Sequence, residues 1–291
     1  MIAFNTLAEL FSLAEEKELP LSEIVIAREM HDSQQPREAV WQAMTANWQV
    51  MCAAIERGIV NEEKSLSGLT GGDAKKLYAF GGKGYLGGQA LLAAVYAVGI
   101  SEVNAVMGRI VACPTAGSCG IVPAALYAAQ QQKEYDAEQI IAALFTAAGI
   151  GMVIDQNASI AGAEGGCQAE CGTAAGMAAG ALVELAGGTP QQVGDAVALA
   201  IKNLLGLVCD PVAGLVEVPC VKRNGFATMV ALTAADMSLA GVQSVIPVDE
   251  VIAAMAQIGH MLPHALRETS EAGLAVTPTA ERLTRKIYPD A

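Results

Sequence analysis

The sequence predicts an all-α protein, a compact bundle of tightly packed helices rich in alanine and glycine. Apolar residues make up 53% of the 291 residues but aromatic residues only 4%, so most apolar side chains are small. Small side chains at a contact let two helices approach closely. No long run of alternating apolar and polar residues predicts a strand, and residues 215–218 and 246–248 are the two short candidates.

Helix-start signals define the first three helices. Thr6 and Glu9 fit a capping box, in which each side chain accepts from the backbone of the other residue, and an apolar stripe follows. A second helix begins after Pro20 and runs to about Met30. A third follows Pro36, and its apolar residues near helical spacing indicate core packing.

Residues 64–89 interrupt the helices with a glycine-rich stretch. We expect loops here whose backbone approaches another group closely, since glycine has no side chain. Residues 82–87 match Gly-x-Gly-x-x-Gly, but residues 74–80 before them have a helical pattern. A dinucleotide site needs a strand at that position, so the match does not predict one.

Further apolar helices complete the chain, and no linker or composition break divides residues 1–291, so we expect one domain. Thr189, Pro190 and Gln192 give a strong start signal for a helix that runs toward Leu207. Glycine-containing loops are expected at 113–120 and 155–166. The predicted helices are about 88–99, 101–112, from 122, 137–154, 168–186, 189–207, 225–240 and 248–262.

Charge and composition exclude several classes of partner. The net charge of −13 argues against nucleic acid or an anionic membrane. The uncharged run at residues 139–154 is shorter than the roughly 20 residues that span a bilayer, so we expect a buried core helix. Only 16% of residues are charged, which predicts that a partner chain or a second copy covers part of the surface.

The chain has seven cysteines, and its first residues show no signal-peptide pattern, which together predict reduced thiols and a cytoplasmic location. Turn-forming residues stand next to Cys167, Cys209 and Cys220: Gly165-Gly166 before the first, Asp210-Pro211 after the second and Pro219 before the third. Such loops leave backbone N–H groups free to point at sulfides, which stabilises a negatively charged cluster. Three thiolates could hold a cubane iron–sulfur cluster and leave one iron open as a Lewis acid.

The spacing of the cysteines alone leaves alternatives open. There is no Cys-x-x-Cys pair of the zinc-ribbon or ferredoxin kind. Cys52 is interpreted as a small buried apolar residue, and packing and ligation are equally good interpretations of Cys113 and Cys119. Cys171 lies one helical turn from Cys167, so it could also ligate.

A substrate with a carboxylate would need hydrogen-bond donors. Thr115, Ala116, Gly117 and Ser118 form a small-residue turn before a helix start, which suits an anion, although an ordinary helix cap has the same composition. Further candidates for substrate contacts, by their nearness to Cys167 in sequence or their charge, are Asn157, Glu164, Gln168, Lys83 and Arg223.

The three histidines are interpreted as structural or surface residues. His260 and His264 have the spacing of two ligands on one helix face, but Pro263 between them interrupts a regular helix. His31 has no accompanying motif. We therefore expect no general base from a histidine of this chain.

Several stretches resemble the alpha chain of two-subunit, iron–sulfur-dependent L-serine dehydratases, also called L-serine ammonia-lyases. The two longest hold the three cysteines, GAEGGCQAE at 162–170 and GLVCDPVAGLVEVPC at 206–220. The likeness spans most of residues 60–280. The other matching stretches are EVNAVMGRIVA at 102–112, PTAGSCGI at 114–121, Arg223-Asn224, Glu268-Thr269 and AVTPT at 275–279.

The resemblance implies a [4Fe–4S] cluster held by Cys167, Cys209 and Cys220, with glycine-rich loops at the active site and no pyridoxal phosphate. It implies β-elimination of L-serine to pyruvate and ammonia, with the open iron as the Lewis acid. The general base is expected from a separate beta chain, because single-chain members carry an additional N-terminal domain with a Ser-x-Ser-His motif that has no counterpart here.

Two alternatives stay open. A related β-eliminase could act on L-threonine or L-cysteine, since an open iron would serve those substrates equally. A non-catalytic iron–sulfur sensing subunit is the other, and a fourth cysteine ligand such as Cys171 would favour it.

Overall fold

A computed structural model describes residues 3–289, which contain thirteen α-helices and no β-strand. The all-α prediction is therefore confirmed for these residues. Short 3-10 turns and one π-turn join several of the helices. The helices are α1 (Leu7–Lys17), α2 (Leu21–Ser33), α3 (Arg37–Val60), α4 (Asp73–Phe80), α5 (Gly88–Ala105), α6 (Ile121–Lys133), α7 (Ala137–Asn157), α8 (Gly162–Gly165), α9 (Thr173–Leu185), α10 (Pro190–Lys202), α11 (Cys220–Leu239), α12 (Val248–Met261) and α13 (Pro278–Ile287).

The predicted helix-start signals are confirmed. Thr6 caps α1, since its Oγ1 accepts from the N–H of Glu9 at 3.1 Å and the Glu9 carboxylate accepts in return from the N–H of Thr6. Thr189 caps α10 in the same reciprocal way with Gln192. α2 and α3 begin directly after proline residues, whose missing N–H is tolerated at a helix start.

Helix α9 forms the centre of the core and packs against α6, α7, α10 and α11. Its residues 173–183 are all buried, and most of them are alanine or glycine. A Cβ on Gly180 would lie 2.9 Å from a methyl group of Val197 on α10, so a larger residue would push the two helices apart. The close packing that the composition predicts is therefore present at the middle of the protein.

Helix α7 contains the long uncharged run. Among the described residues it is the one helix long and apolar enough to cross a membrane, but 67% of its most apolar stretch is buried inside the protein. It packs against α2 and α9. This burial agrees with the predicted core helix.

The glycine-rich stretch at 64–89 holds α4 between two loops. Glu102 of α5 is fully buried and accepts hydrogen bonds from the backbone N–H groups of Asp73 (2.8 Å) and Ala74 (3.2 Å), which caps α4. No strand precedes residues 82–87, as expected. The first residue of α4 is tied to α11 by Lys222, whose Nζ lies 2.6 Å from the Asp73 carboxylate.

Several predicted boundaries are wrong because glycines act as packing positions rather than breaks. α5 is one continuous helix to Ala105, where two were predicted, and Gly99 within it packs against Gly58 of α3. Residues 106–112, predicted as part of the second helix, are irregular. α11 begins at Cys220 rather than near 225, since Gly225 lies inside the helix against Val98.

The end of the chain also departs from the prediction. α10 ends at Lys202, and the chain then turns at Gly206, whose φ of 81° favours glycine. α13 follows the cap residue Thr277 and was not predicted. Neither short strand candidate, 215–218 nor 246–248, forms a strand. Within the described range the one extended pairing is an isolated bridge between Cys209 and Arg267.

Glu184 on α9 gives the fold a testable pH dependence. Burial raises the pKa of its carboxyl above the ordinary value of 4.5, although Ser22 and Thr146 donate hydrogen bonds to it. The unfolded chain therefore loses this proton at a lower pH than the folded chain does. Stability contributed by Glu184 is thus greatest below the ordinary pKa and falls as the pH rises through the folded pKa.

We expect Glu184→Gln to raise the free energy of unfolding near pH 8 and to lose this advantage near pH 4, because glutamine carries no charge to bury. Urea unfolding at the two pH values measures the difference. Glu250→Gln, on an exposed part of α12, serves as the control. An equal effect of Glu184→Gln at both pH values would contradict the expectation.

Candidate metal centre

Four of the seven free cysteines lie together in the interior, Cys167, Cys171, Cys209 and Cys220. Each is at most 6% exposed. Cys167 Sγ and Cys171 Sγ lie 3.4 Å apart, within hydrogen-bond distance for sulfur. Burial, and next a charge on Cys167, raise the pKa of both Cys209 and Cys220. The structure thus brings the three predicted ligands and Cys171 into one group, which we call the four-cysteine site.

The remaining cysteines belong to other parts of the core. Cys52 is half-buried on α3, and burial raises its pKa to about 11. Cys113 and Cys119 stand at the two ends of the 114–118 segment, and burial raises the pKa of each to about 12. Cys119 packs among residues of α5 and α6.

A glycine and a π-turn set the position of Cys167. Gly166 has a φ of 75°, and a Cβ there would lie 2.6 Å from a Leu262 methyl group, so glycine is required on both counts. The backbone after Cys167 forms the π-turn Gln168–Gly172, a rare irregularity that often marks functional sites. The turn places Cys171 next to Cys167.

Gln168 holds this segment to two others. Its Oε1 accepts from the N–H of Gly206 at 2.9 Å, and its Nε2 donates to the carbonyl of Met255 at 3.0 Å. Its own N–H donates to the carbonyl of Leu207. Gln168 was a candidate for a substrate contact, but its side chain is 1% exposed and both ends of its amide are used in these structural hydrogen bonds.

Cys209 is fixed by the C-terminal part of the chain. Its N–H donates to the carbonyl of Leu266 at 2.9 Å, and its carbonyl accepts from the N–H of Glu268 at 2.7 Å. These two bonds make the isolated bridge with Arg267. Glu268 itself has a φ of 64°, which is strained for a residue with a side chain.

Cys220 is the first residue of α11, and Asn224 one turn later links it to the 115–120 turn. The Asn224 amide donates to the carbonyls of Cys220 (2.9 Å) and Gly117 (2.7 Å), and its Oδ1 accepts from the N–H of Gly120 (2.9 Å). Asn224 is fully buried. The sequence offered it only as part of the Arg223-Asn224 match, with no role attached.

Arg223 is the cation of the four-cysteine site. Its guanidinium donates to the Asp210 carboxylate at 3.0 Å and to the carbonyl of Val208 at 2.8 Å. The hydrogen bond from Cys171, and then the positive charge of Arg223, hold the pKa of Cys167 below its ordinary value despite burial. Asp210 accepts a second hydrogen bond from the N–H of Leu274. Arg223 and Asp210 therefore join α11, the Cys209 segment and the C-terminal segment.

The predicted anion-binding turn lies next to a carboxylate that the sequence did not single out. Thr115 Oγ1 donates to Glu170 Oε1 over 2.7 Å, and a Cβ on Gly117 would lie 3.0 Å from the same oxygen. Ser118 is buried, and its Oγ accepts from the N–H of Thr115. The structure therefore places Thr115, Ala116, Gly117 and Ser118 beside Glu170, within the same region as the four-cysteine site.

Asn157 and Glu164 are placed differently. The Asn157 amide donates to the carbonyls of Asn5 (2.7 Å) and Val153 (2.8 Å) at the end of α7. Glu164 accepts from the Ser159 hydroxyl at 2.7 Å and lines a small cavity of about 40 Å³ with His260. These hydrogen bonds involve neither the cysteines nor the 115–118 turn.

A family model described as "Serine dehydratase alpha chain" matches residues 16–275 of this sequence. The chain belongs to the serine dehydratase alpha-chain family. This membership confirms the resemblance drawn from the motifs, and it places the chain in a family of lyases.

Curated relatives agree over nearly the whole chain. A probable L-serine dehydratase alpha chain of Bacillus subtilis is 52% identical over 290 residues, which cover 99% of this chain and 96% of the relative. The L-serine dehydratase alpha chain of Peptoniphilus asaccharolyticus is 42% identical over 288 residues, 98% of this chain and 99% of the relative. An L-serine dehydratase of Streptomyces coelicolor is 39% identical over 282 residues, 94% of this chain but only 61% of the relative.

The donor set of the four-cysteine site, four buried thiols, is of the kind that holds an iron–sulfur cluster. Within residues 3–289 no three Cys, His, Asp or Glu side chains are spaced to hold one metal ion, as a tetrahedral Zn²⁺ with Zn–S bonds of about 2.3 Å would require. A cluster separates its irons and so tolerates wider spacing between thiolates. Gly162 packs closely against Cys209, since an added Cβ would lie only 3.2 Å from its Sγ.

All three histidines lie on the surface, as interpreted from the sequence. α12 ends at Met261, so His260 and His264 do not share one continuous helix. His264 Nδ1 lies 3.8 Å from an exposed Glu271 carboxylate, and His31 pairs with the exposed Asp32. His260 and His264 therefore do not have the geometry of two ligands on one helix face.

Asn224→Ala tests how the 115–120 turn is joined to Cys220. The substitution leaves the N–H of Gly120 and the carbonyl of Gly117 without their partner, and each unsatisfied buried group costs about 1–3 kcal/mol. We expect the free energy of unfolding to fall by at least about 2 kcal/mol in urea.

Asn203→Ala is the matched control, because Asn203 is exposed and bonds only to the carbonyl of Leu199 in its own helix. We expect a change within about 0.5 kcal/mol for this variant. Equal effects of the two substitutions would contradict the role given to Asn224.

Proposed function

We propose that this chain is the cluster-bearing alpha chain of a two-chain L-serine dehydratase, which converts L-serine to pyruvate and ammonia. The observation that carries the proposal is the gathering of Cys167, Cys209 and Cys220 in one buried site of a serine dehydratase alpha-chain family member. The names of the relatives supply the substrate.

The three cysteines would hold a [4Fe–4S] cluster. When bound, the cluster would supply a Lewis acid at an iron without a protein ligand, which makes a hydroxyl a better leaving group. Arg223 supports this assignment, because its charge favours the thiolate form of Cys167, the form that binds metal. In the competing arrangement Cys171 is a fourth ligand. No iron then stays open, as in a structural or redox cluster.

The substrate carboxylate would bind at the Thr115, Ala116, Gly117 and Ser118 turn. Asn224 supports this role, since its amide holds the turn at a fixed distance from the start of α11, where Cys220 stands. The turn is thereby positioned relative to a ligand before any substrate binds. Asn157 and Glu164 bond to other groups, so the carboxylate contact is assigned to the turn and not to them.

A separate beta chain would supply the general base and cover part of this chain in the cytoplasm. The relatives that match end to end are named alpha chains, and the Streptomyces coelicolor relative, named without a chain, is much longer than the matched part. Exposed apolar side chains support a covering partner. They are Leu66 in the loop before α4, Tyr85 in the loop after it, and Phe226 on α11.

Substituting the ligands tests the metal assignment. We expect Cys167→Ala, Cys209→Ala and Cys220→Ala each to lose most of the iron and sulfide that the wild type binds anaerobically, about four irons per chain for a cubane. Iron and sulfide assays with an absorption spectrum measure this. Cys52→Ala is the control and should keep its iron, while Cys171→Ala decides between three and four cysteine ligands. Full iron retention in any of the first three variants would remove that ligand.

Reconstitution with the beta chain tests the reaction. We expect pyruvate from L-serine only when both chains and the cluster are present, because the base lies on the partner. Either chain alone serves as the control. Turnover of L-threonine or L-cysteine in preference to L-serine would replace the substrate, and a loaded complex that turns over none of the three would favour a sensing subunit.

A further inference from the structure

Three polar side chains from distant parts of the sequence meet at Gly162. A Cβ on this glycine would lie 2.8 Å from Glu170 Oε2, 3.1 Å from Glu268 Oε2 and 3.2 Å from Cys209 Sγ. Because Gly162 has no side chain, two carboxylates and a proposed cluster ligand approach each other closely at this position.

Glu170 is the buried member of this group. Its side chain is only 8% exposed, and Thr115 donates a hydrogen bond to Oε1, while Oε2 lies against Gly162 with no hydrogen-bond partner among the described residues. The carboxylate thus reaches from the 115–118 turn to Cys209. Oε2 is therefore available to accept a hydrogen bond from a ligand.

Glu268 is the exposed member of this group, and its backbone conformation directs its side chain toward Gly162. Its φ of 64° is held by the hydrogen bond from its N–H to the carbonyl of Cys209. Because Glu268 is exposed and Glu170 is buried, the space between them is open to solvent on the Glu268 side. The charge of Glu268 also raises the pKa of Glu170, after burial, so the two carboxylates are electrostatically coupled.

The charge of the nearby Arg223 favours the ionised form of Glu170, but its guanidinium forms no hydrogen bond with either carboxylate. Arg223 forms an ion pair with Asp210 at 3.0 Å and donates to the carbonyl of Val208. Cys209 is only 2% exposed. Its thiol lies against Gly162 beside the two carboxylates and forms no hydrogen bond within residues 3–289. The arrangement lacks a positively charged hydrogen-bond donor, and it lies beside both proposed substrate-binding elements.

We propose that Glu170, assisted by Glu268, binds the α-ammonium group of the amino-acid substrate. L-Serine presents a carboxylate and an ammonium group on one carbon atom and a hydroxyl on the adjacent one. The 115–118 turn, the Glu170–Glu268 pair and the Cys209 end of the site stand in that order, joined by Thr115 and Gly162, so each could receive one of these groups. The inference rests on the proposed function and adds what selects an amino acid over other hydroxy acids.

Binding of the ammonium group predicts which hydroxy acids the site rejects. L-Glycerate has the same carboxylate and the same leaving hydroxyl as L-serine, but a hydroxyl replaces the ammonium group. It would lose the charge-assisted hydrogen bonds to the two carboxylates, which are stronger than neutral ones. The site should therefore bind L-serine and discriminate against L-glycerate.

Glu170→Gln tests this in the cluster-loaded complex with the beta chain. The substitution keeps the shape and the acceptor for Thr115 but removes the charge. We expect the KM for L-serine to rise by about 10-fold to 100-fold, as loss of a charged hydrogen bond predicts, with a smaller change in kcat, because the ammonium group is held equally in the ground state and the transition state. Inhibition by L-glycerate should change by less than about threefold, since no ammonium group is involved.

Glu268→Gln is the second variant. Glu268 is exposed, so the substitution should not disturb folding, and solvent weakens its interaction with the substrate. We therefore expect a smaller rise in the KM for L-serine, of about threefold to 10-fold. Glu271→Gln, exposed and paired only with His264, is the matched control and should leave KM unchanged. Iron content and the absorption spectrum are measured for every variant.

Each outcome has a defined meaning. An unchanged KM in Glu170→Gln, an equal loss of L-serine and L-glycerate binding, or loss of iron from Glu170→Gln would each overturn the proposal, the last because it assigns the carboxylate to the cluster or the fold. Absence of pyruvate from the wild-type complex would instead overturn the proposed function, and it is seen before any variant is made.

Discussion

The candidate site depends on two buried amide side chains that hold the cysteine-bearing segments together. Gln168 joins the Cys167 segment to the turn at Gly206 and to α12, and Asn224 joins the start of α11 to the 115–120 turn. An amide both donates and accepts, so one side chain can satisfy backbone groups of two other segments at once. The thiols are therefore positioned by hydrogen bonds around them rather than by bonds of their own.

Glycine makes that arrangement sterically allowed. Gly166 brings the backbone against Leu262 and the Leu207 carbonyl immediately before Cys167, and Gly162 lets Glu170, Glu268 and Cys209 approach each other closely. The same property builds the core, where Gly180 allows α9 to approach α10. A protein poor in aromatic residues thus obtains close packing and a polar site from the same residue type.

The electrostatics of the site complement the chemistry proposed for it. One guanidinium, Arg223, serves Asp210 and Cys167, while the carboxylates of Glu170 and Glu268 face each other without a cation of the protein between them. Buried negative groups such as the thiolates and the Glu170 carboxylate are stabilised by positive charge from outside the chain. Iron at the thiolates and an ammonium group at the carboxylates would each meet that requirement, and both fit a substrate that is an amino acid.

The sequence by itself determined the fold class, most helix starts and the family. Thr6, Pro20, Pro36 and Thr189 mark helix starts through local hydrogen bonds and fixed backbone angles, and these act within a few residues. The cysteine motifs were likewise recognised from short contiguous stretches of the sequence. Only the tertiary structure decided whether Gly99 and Gly225 break a helix or pack inside one, and only it brought Glu170, Glu268 and Asn224 to the cysteines. Those roles depend on contacts between segments far apart in the chain, which local pattern does not encode.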